Sequence, residues 1–142
     1  MTRRGRGDAE PILGSVVLDS EGLVRWLNDD RRVKLLIRET QIAQRQIVIS
    51  AMTIIEADYG VSQHPRLDWV LSMCRVIPVT EDLAKAASRR LRSAGLRGHT
   101  QAIDATVAET AARVAWPVVL LTSDPGDLTK LVDPAVKVVP LH

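Results

Sequence analysis

Patterns typical of buried strands alternate with helical patterns from residue 15 onward. Residues 15–18 read Ser-Val-Val-Leu and are followed by Asp19. Three apolar residues in a row, two of them β-branched, are typical of a strand covered on both faces, and therefore of a central strand. Apolar residues then recur at Leu23, Trp26 and Leu27, the spacing of a helix that packs back onto the sheet. The pattern predicts a central strand and a helix, with Asp19 at their junction.

The same alternation continues along the rest of the chain. Further helices are predicted at about 30–45, 52–59, 65–71, 80–94, 100–115 and 125–132, and further strands at 46–50, 75–79, 118–121 and 137–141. Pro78 indicates that the strand at 75–79 lies at an edge, because proline donates no hydrogen bond to a neighbouring strand. Thr80 and Gly95 are typical residues for the start and the end of a helix. The predicted fold class is α/β, with a mainly parallel sheet of four or five strands between helices.

Composition places the chain among globular proteins of one domain. It has 142 residues, of which 46% are hydrophobic and 25% charged, and a formal net charge of +2. The single cysteine, Cys74, excludes an internal disulfide, argues against a Cys-rich zinc site and favours a reducing compartment, so we expect a cytoplasmic protein. No apolar run approaches the roughly 18 residues that span a membrane. We divide the chain into a flexible basic arm at 1–14, which lacks the apolar segment of a signal peptide, and one domain at 15–142.

Carboxylates recur at the predicted junctions between strands and helices. Asp19 is joined by Glu56, Asp104 and Asp124. Open α/β sheets bind ligands at the carboxyl ends of their strands, so we expect these side chains to converge. Three of them have an alternative explanation in helix capping. Asp19 could cap the first helix, Thr53-x-x-Glu56 matches a capping box, and a proline follows Asp124 as it does at many helix starts.

Asp104 has a different setting, on the predicted buried side of a helix. Its neighbours at i+3, i+4 and i+7 are Val107, Ala108 and Ala111. The pattern assigns the opposite, solvent-facing side to Thr106, Glu109, Thr110 and Arg113. An unpaired carboxylate among apolar residues is costly, so a cation should meet Asp104. Either a buried arginine or a metal ion would serve.

Several carboxylates without histidine or cysteine select a hard cation, and Mg²⁺ or Mn²⁺ fits best. Without that cation the acids would repel one another, and the cluster would be unstable or partly protonated. Metal sites of this kind activate water and stabilise the leaving oxygen in many nucleases. A nuclease also needs cations that hold a polyanion. The candidates recur along one face of the helix before Asp104 and into the following loop: Lys85, Arg89, Arg92 and Arg97. An ordinary solvated helix face explains the same stripe.

Four segments carry a resemblance to a known family. They are residues 17–23, 50–56, 102–111 and 121–128, which contain in turn Asp19, Glu56, Asp104 and Asp124. In this order and at these intervals they resemble PIN-domain ribonucleases, especially the VapC-type toxins of bacterial toxin-antitoxin pairs, over residues 15–141.

The resemblance implies a three-layer α/β/α sandwich with a five-stranded parallel sheet. It also implies a Mg²⁺-dependent endoribonuclease, a homodimer, and inhibition by a small cognate antitoxin. The family's four acidic positions fall on Asp19, Glu56, Asp104 and Asp124, which would act as catalytic residues and metal ligands. Glu56 could bind the metal through water, and Asp127 is a further candidate ligand.

Other functions remain compatible with these residues. One is a PIN-like module that has lost activity and binds only RNA or a protein; another is a stand-alone RNA-processing nuclease or a nuclease that cuts DNA. A haloacid-dehalogenase-type phosphatase needs a second Asp two residues after the first, where this chain has Glu21. The three Trp and one Tyr are not clustered with the basic residues. We therefore expect recognition through RNA shape and phosphates rather than base stacking.

Overall fold

The computed structural model describes residues 11–58 and 64–141. In this part of the chain it has the following elements: β1 (Ser15–Leu18), α1 (Ser20–Leu27), α2 (Arg31–Ile42), β2 (Gln46–Ser50), α3 (Ala51–Asp58), α4 (His64–Leu71), β3 (Arg75–Ile77), α5 (Glu81–Ala94), α6 (His99–Ala112), β4 (Val118–Thr122), α7 (Pro125–Leu131) and β5 (Lys137–Pro140). Most of the predicted arm at 1–14 lies outside the described residues, as do Tyr59 and Gly60 at the predicted end of the third helix. None of these helices is both long enough and apolar enough to span a membrane.

The five strands form one parallel sheet in the order β3-β2-β1-β4-β5. The predicted α/β fold with five strands is confirmed, as are the central place of β1 and the edge position of β3. Leu18, the last residue of β1, pairs with Ile49 of β2 and with Leu121 of β4. The three central strands therefore end at nearly the same level. The residues that follow them are brought to one edge of the sheet.

Helices cover both faces of the sheet and complete the three-layer sandwich. On one face, side chains of β1 such as Leu18 pack with Leu23 and Trp26 of α1. On the other face, Val17 packs with Val107 of α6 and Leu128 of α7. Successive residues of β1 thus point into two different apolar clusters, which is why this strand lacks a polar face.

Helix α5 forms a further covering over α6, where Ala87 packs against Ala105 and Ala108. Its ends are those that the sequence predicts. Thr80 accepts a hydrogen bond from the backbone N–H of Leu83 at 3.2 Å, and Gly95 ends the helix at φ 68°. Glycine suits this position because the left-handed conformation strains residues that carry a Cβ.

The prediction that one side of α6 faces solvent is wrong. Thr106, Glu109 and Thr110 are buried, and only Arg113 of that set is exposed. The reason is that α6 lies between the sheet and α5, so both of its sides are covered. Helical periodicity identifies an apolar stripe, but it does not reveal that a second helix covers the more polar stripe.

Candidate active site

Asp19 lies between β1 and α1, at the carboxyl end of the central strand. Its Oδ1 atom accepts a hydrogen bond from the backbone N–H of Gly22 at 2.9 Å and caps α1. Burial raises the pKa of Asp19, although hydrogen bonds from Thr122, Gly22 and Ser123 oppose that rise. Capping therefore explains the orientation of Asp19. The hydrogen bonds from Thr122 and Ser123, at the end of β4, are not part of the cap, and they hold the carboxylate at the centre of the sheet edge.

Glu56 lies in α3, which begins directly after β2. The capping-box explanation is wrong here, because α3 starts at Ala51 and Thr53 is already inside the helix. Thr53 Oγ1 is instead buried without a hydrogen-bond partner in the described part of the chain. Burial raises the pKa of Glu56, a hydrogen bond from Ser20 opposes this, and the charge of Asp19 adds to the rise. Glu56 is thus close enough to Asp19 for the charge of one carboxylate to affect the pKa of the other.

Asp104 is the carboxyl group most affected by the others. It lies half-buried on α6, and no cation pairs with it among the residues that the structure describes, so the buried-arginine alternative finds no support there. Burial is the main cause that raises its pKa to about 6, and repulsion from other acids adds to it, in the order Asp124, Glu56, Asp127 and Asp19. The acids that were expected to converge therefore all lie close enough to Asp104 to raise its pKa by charge repulsion.

Asp124 and Asp127 belong to the start of α7, after β4. Asp124 is exposed and accepts a hydrogen bond from the N–H of Gly126 at 3.3 Å, which is the capping arrangement that the sequence indicates. Asp127 accepts a hydrogen bond from the side-chain amide of Gln101 at 3.1 Å. Gln101 is a site residue that the sequence did not reveal, because a glutamine 26 positions away carries no local signal. Ser20 and Thr122 were also missed, although both adjoin predicted junctions.

The chemistry of this set fits a hard divalent cation. Every potential ligand is a carboxylate, and the raised pKa values of Asp19, Glu56 and Asp104 reflect burial and mutual repulsion that a cation would relieve. Within residues 11–58 and 64–141, however, no three His, Cys, Asp or Glu side chains are arranged to hold a metal ion. The acids share one end of the sheet and one electrostatic field without forming a closed ligand set.

The predicted RNA-binding residues lie on α5 and in the turn after it, and all four are exposed: Lys85, Arg89, Arg92 and Arg97. Lys85 pairs with Glu81 at 2.5 Å, as expected of an ordinary helix face. Arg92 donates a hydrogen bond to Ser88 Oγ at 3.1 Å. Arg89 makes no ion pair within the described residues and lines a cleft toward α6 and α7. Lys85 and Arg92 thus make contacts within their own helix, as on an ordinary solvated face, whereas Arg89 is the member of the stripe that lines the cleft.

Similarity to known proteins is found at the level of structure. No family model and no curated protein sequence matches the chain. Among solved structures, a chain of VapBC2 from Rickettsia felis bound to a promoter DNA fragment superposes with a TM-score of 0.67 at 19% identity, over 90% of this chain and 99% of that one. A toxin-antitoxin complex from Klebsiella pneumoniae gives a TM-score of 0.66 at 22% identity, over 85% and 94% of the two chains. This chain shares their fold.

A third structure extends the comparison. FitAcB from Neisseria gonorrhoeae superposes with a TM-score of 0.60 at 18% identity, over 87% of this chain and 95% of that one. The fold that the PIN-domain resemblance implies, a parallel five-stranded α/β/α sandwich, is thereby confirmed. At identities of 18–22% the superpositions show a shared fold.

Proposed function

We propose that this protein is a metal-dependent endoribonuclease and the toxin of a toxin-antitoxin pair. The observation that carries the proposal is the set of mutually repelling carboxyl groups around Asp104, where parallel strands end. A structural capping role explains Asp19 and Asp124 but leaves the half-buried Asp104 without a partner in the described residues. Carboxylates that are kept close against their repulsion are typical of sites that bind a cation.

The side chains have separate roles in this proposal. Asp19, Asp104 and Asp124 would hold Mg²⁺ or Mn²⁺, with Glu56 binding through water and Asp127 as a further ligand. The bound ion would activate water and stabilise the leaving oxygen of the phosphodiester. Hydrogen bonds from Gly22 and Gly126 hold Asp19 and Asp124 in place without a cation. Asp104, with a pKa of about 6, is mostly ionised at neutral pH and available as a ligand.

The partner is proposed from the comparisons. The superposed chains come from VapBC, FitAB and other toxin-antitoxin complexes. A small antitoxin is therefore the expected partner, and a homodimer is the expected assembly. The chemistry of the site suggests how an antitoxin would inhibit: an arginine placed among the carboxylates stays charged, binds them bidentately and competes with the metal.

A cleavage assay with matched variants tests the enzymatic part. The purified protein is incubated with end-labelled single-stranded RNA in Mg²⁺, in Mn²⁺ and in EDTA. We expect cleavage only with metal, and a loss of at least about 100-fold in Asp104→Asn, because that change removes a ligand charge. The control is Asp68→Asn, an identical change at an exposed position on α4.

The two readings of the acids give different results in this assay. Equal activity of the Asp104→Asn and Asp68→Asn variants would refute the site. A folded protein that binds RNA or an antitoxin, yet cleaves no RNA or DNA substrate with any metal, would instead support a module that only binds.

A further inference from the structure

A cleft of about 520 Å³ lies between α5, α6 and α7. One of its lining residues, Lys130, lies 3.8 Å from Asp127 of the candidate active site. Four cationic side chains line it: Arg89, Arg90, Arg113 and Lys130. Only Arg89 belongs to the basic stripe that the sequence reveals. Arg90 also lies on α5, Arg113 is the residue that ends α6 and Lys130 lies on α7, so the tertiary fold brings these side chains together.

The buried carboxylate of Glu109 organises the cleft. Arg90 donates from Nε to Glu109 Oε1 at 2.7 Å, and Arg113 donates from Nε to Glu109 Oε2 at 2.7 Å. Arg90 Nη1 also reaches the backbone oxygen of Leu131 at 2.9 Å and Asp133 at 3.2 Å. Each oxygen of Glu109 therefore orients one guanidinium group.

Each of these two arginines has N–H donors that make no hydrogen bond within the described residues. Arg113 Nη1 donates to Asp82 at 2.9 Å, so both arginines use Nε and Nη1, while neither Nη2 group has a partner among the described residues. Because the guanidinium groups are already held, an anion that accepts from them costs little further side-chain entropy. Arg89 has no ion pair in the described part of the chain, and Lys130 has only a long contact of 3.8 Å with Asp127.

The donors suit a phosphate group, because planar guanidinium groups present paired N–H donors to phosphate oxygens. The carboxylates of Asp82, Asp127 and Asp133 surround the same groups and reduce the attraction for a free anion. A phosphate that belongs to a longer strand is favoured over a free one, since a strand held elsewhere on the protein presents it at high effective concentration.

The cleft is connected to the candidate active site through α7, which carries both Lys130 and Asp127. Glu109 lies five residues after Asp104 on α6, which is a rise of about 7.5 Å and a rotation of about 140° around the helix axis, so the two carboxylates face different sides of α6. Lys130 Nζ lies 3.8 Å from Asp127 Oδ1, so a strand bound at the carboxylates could continue past α7 into the cleft. We propose that this cleft binds a backbone phosphate of the RNA strand that is cleaved at the carboxylates. The proposal rests on the proposed nuclease function and identifies where its substrate continues.

Salt-dependent RNA binding in EDTA tests the cleft without cleavage. The variant is Arg89→Gln with Lys130→Gln, which leaves the Glu109 pairs intact. The control is Arg75→Gln with Lys137→Gln, two exposed cations on the edge strands with no ion pair in the described residues. Each lost phosphate contact reduces the magnitude of the negative slope of log K against log salt by roughly 0.7 for single strands. We expect the magnitude of the slope to fall by about 0.7 in the cleft variant, because the cleft binds one phosphate, and to stay unchanged in the control.

Several results would overturn the proposal. One is that the cleft variant and the control variant have equal slopes. Another is that the cleft variant loses binding to the antitoxin while its RNA binding stays unchanged. A third is saturable binding of inorganic phosphate below about 1 mM that the cleft variant abolishes while RNA binding stays unchanged, which would make this a site for free phosphate.

If the wild type cleaves no RNA but the slope still falls, the nuclease function fails and the cleft remains an RNA-binding site. If cleavage requires Asp104 while the slopes are equal, only the cleft proposal fails.

Discussion

Asp104 and Glu109 lie five residues apart on α6, and the same change from acid to amide should affect protein stability in opposite directions. Asp104 is repelled by four other carboxyl groups, whereas Glu109 is held by two arginines. Without metal at pH 7.5, Asp104→Asn should stabilise the fold and Glu109→Gln should destabilise it. The two sites lie on one helix, and the neighbours that the tertiary structure gives each carboxylate set the sign of the effect.

The magnitude for Asp104 follows from its pKa. The pKa of about 6, against 3.8 for an ordinary aspartate, corresponds to about 3 kcal/mol at about 1.36 kcal/mol per pKa unit. Because the side chain is only half-buried, solvent screening reduces the expected gain in Asp104→Asn to about 1–2 kcal/mol. For a domain of this size that is roughly 3–8 °C in Tm.

The sign of the pH dependence is fixed by the direction of the shift. The folded state raises the pKa of Asp104, so it binds the proton more tightly than the unfolded chain does. Below pH 3.8, where the group is protonated in both states, the wild type carries no penalty. The penalty appears as the pH rises and is complete above about pH 7. The stability gap between Asp104→Asn and the wild type should therefore open between pH 4 and pH 7.

Glu109→Gln removes the charge that two guanidinium groups share. Its side chain is only 11% exposed. Removing one partner of a buried ion pair leaves the other charges unmatched, so we expect a loss of about 2–4 kcal/mol.

Urea unfolding in EDTA at pH 4.5 and pH 7.5 measures both variants. Adding Mg²⁺ at pH 7.5 should raise the Tm of the wild type more than that of Asp104→Asn, because a ligand of the folded state stabilises it by mass action. A lower stability of Asp104→Asn than of the wild type in EDTA at pH 7.5, or a gap that is the same at both pH values, would refute this account of the carboxylates.

Three further predictions follow from the same surfaces. Asp19→Asn and Asp124→Asn should each lower metal-dependent RNA cleavage by at least about 100-fold while circular dichroism stays unchanged, since Asn still caps a helix; near-normal cleavage would contradict the assignment. Replacing Lys85, Arg89 and Arg92 together with Ser should weaken RNA binding and flatten its salt dependence, whereas an unchanged slope would leave them as a solvated helix face. Titrating the cognate antitoxin into the Mn²⁺-loaded protein should displace the metal and inhibit cleavage in proportion to occupancy; binding without displacement would exclude competition at the carboxylates.

Local sequence was enough for most of the architecture. Apolar runs predicted the five strands, and the ends of α5 were predicted at Thr80 and Gly95 because caps depend on residues within one turn. The central place of β1 was also predictable, since a strand buried on both faces has no polar alternation. From these elements alone, Asp19 could be placed at the sheet edge where ligands bind.

The tertiary structure decided which partners each side chain has. Sequence periodicity placed Glu109 in solvent, yet the packing of α5 over α6 buries it between Arg90 and Arg113. The same packing leaves Asp104 without a cation in the described residues and surrounds it with other acids. Periodicity records only which side of a helix is apolar. Whether a polar side faces water or a second helix depends on contacts between residues far apart in the chain, and those contacts decide whether a carboxylate holds the fold together or is left available to bind a cation.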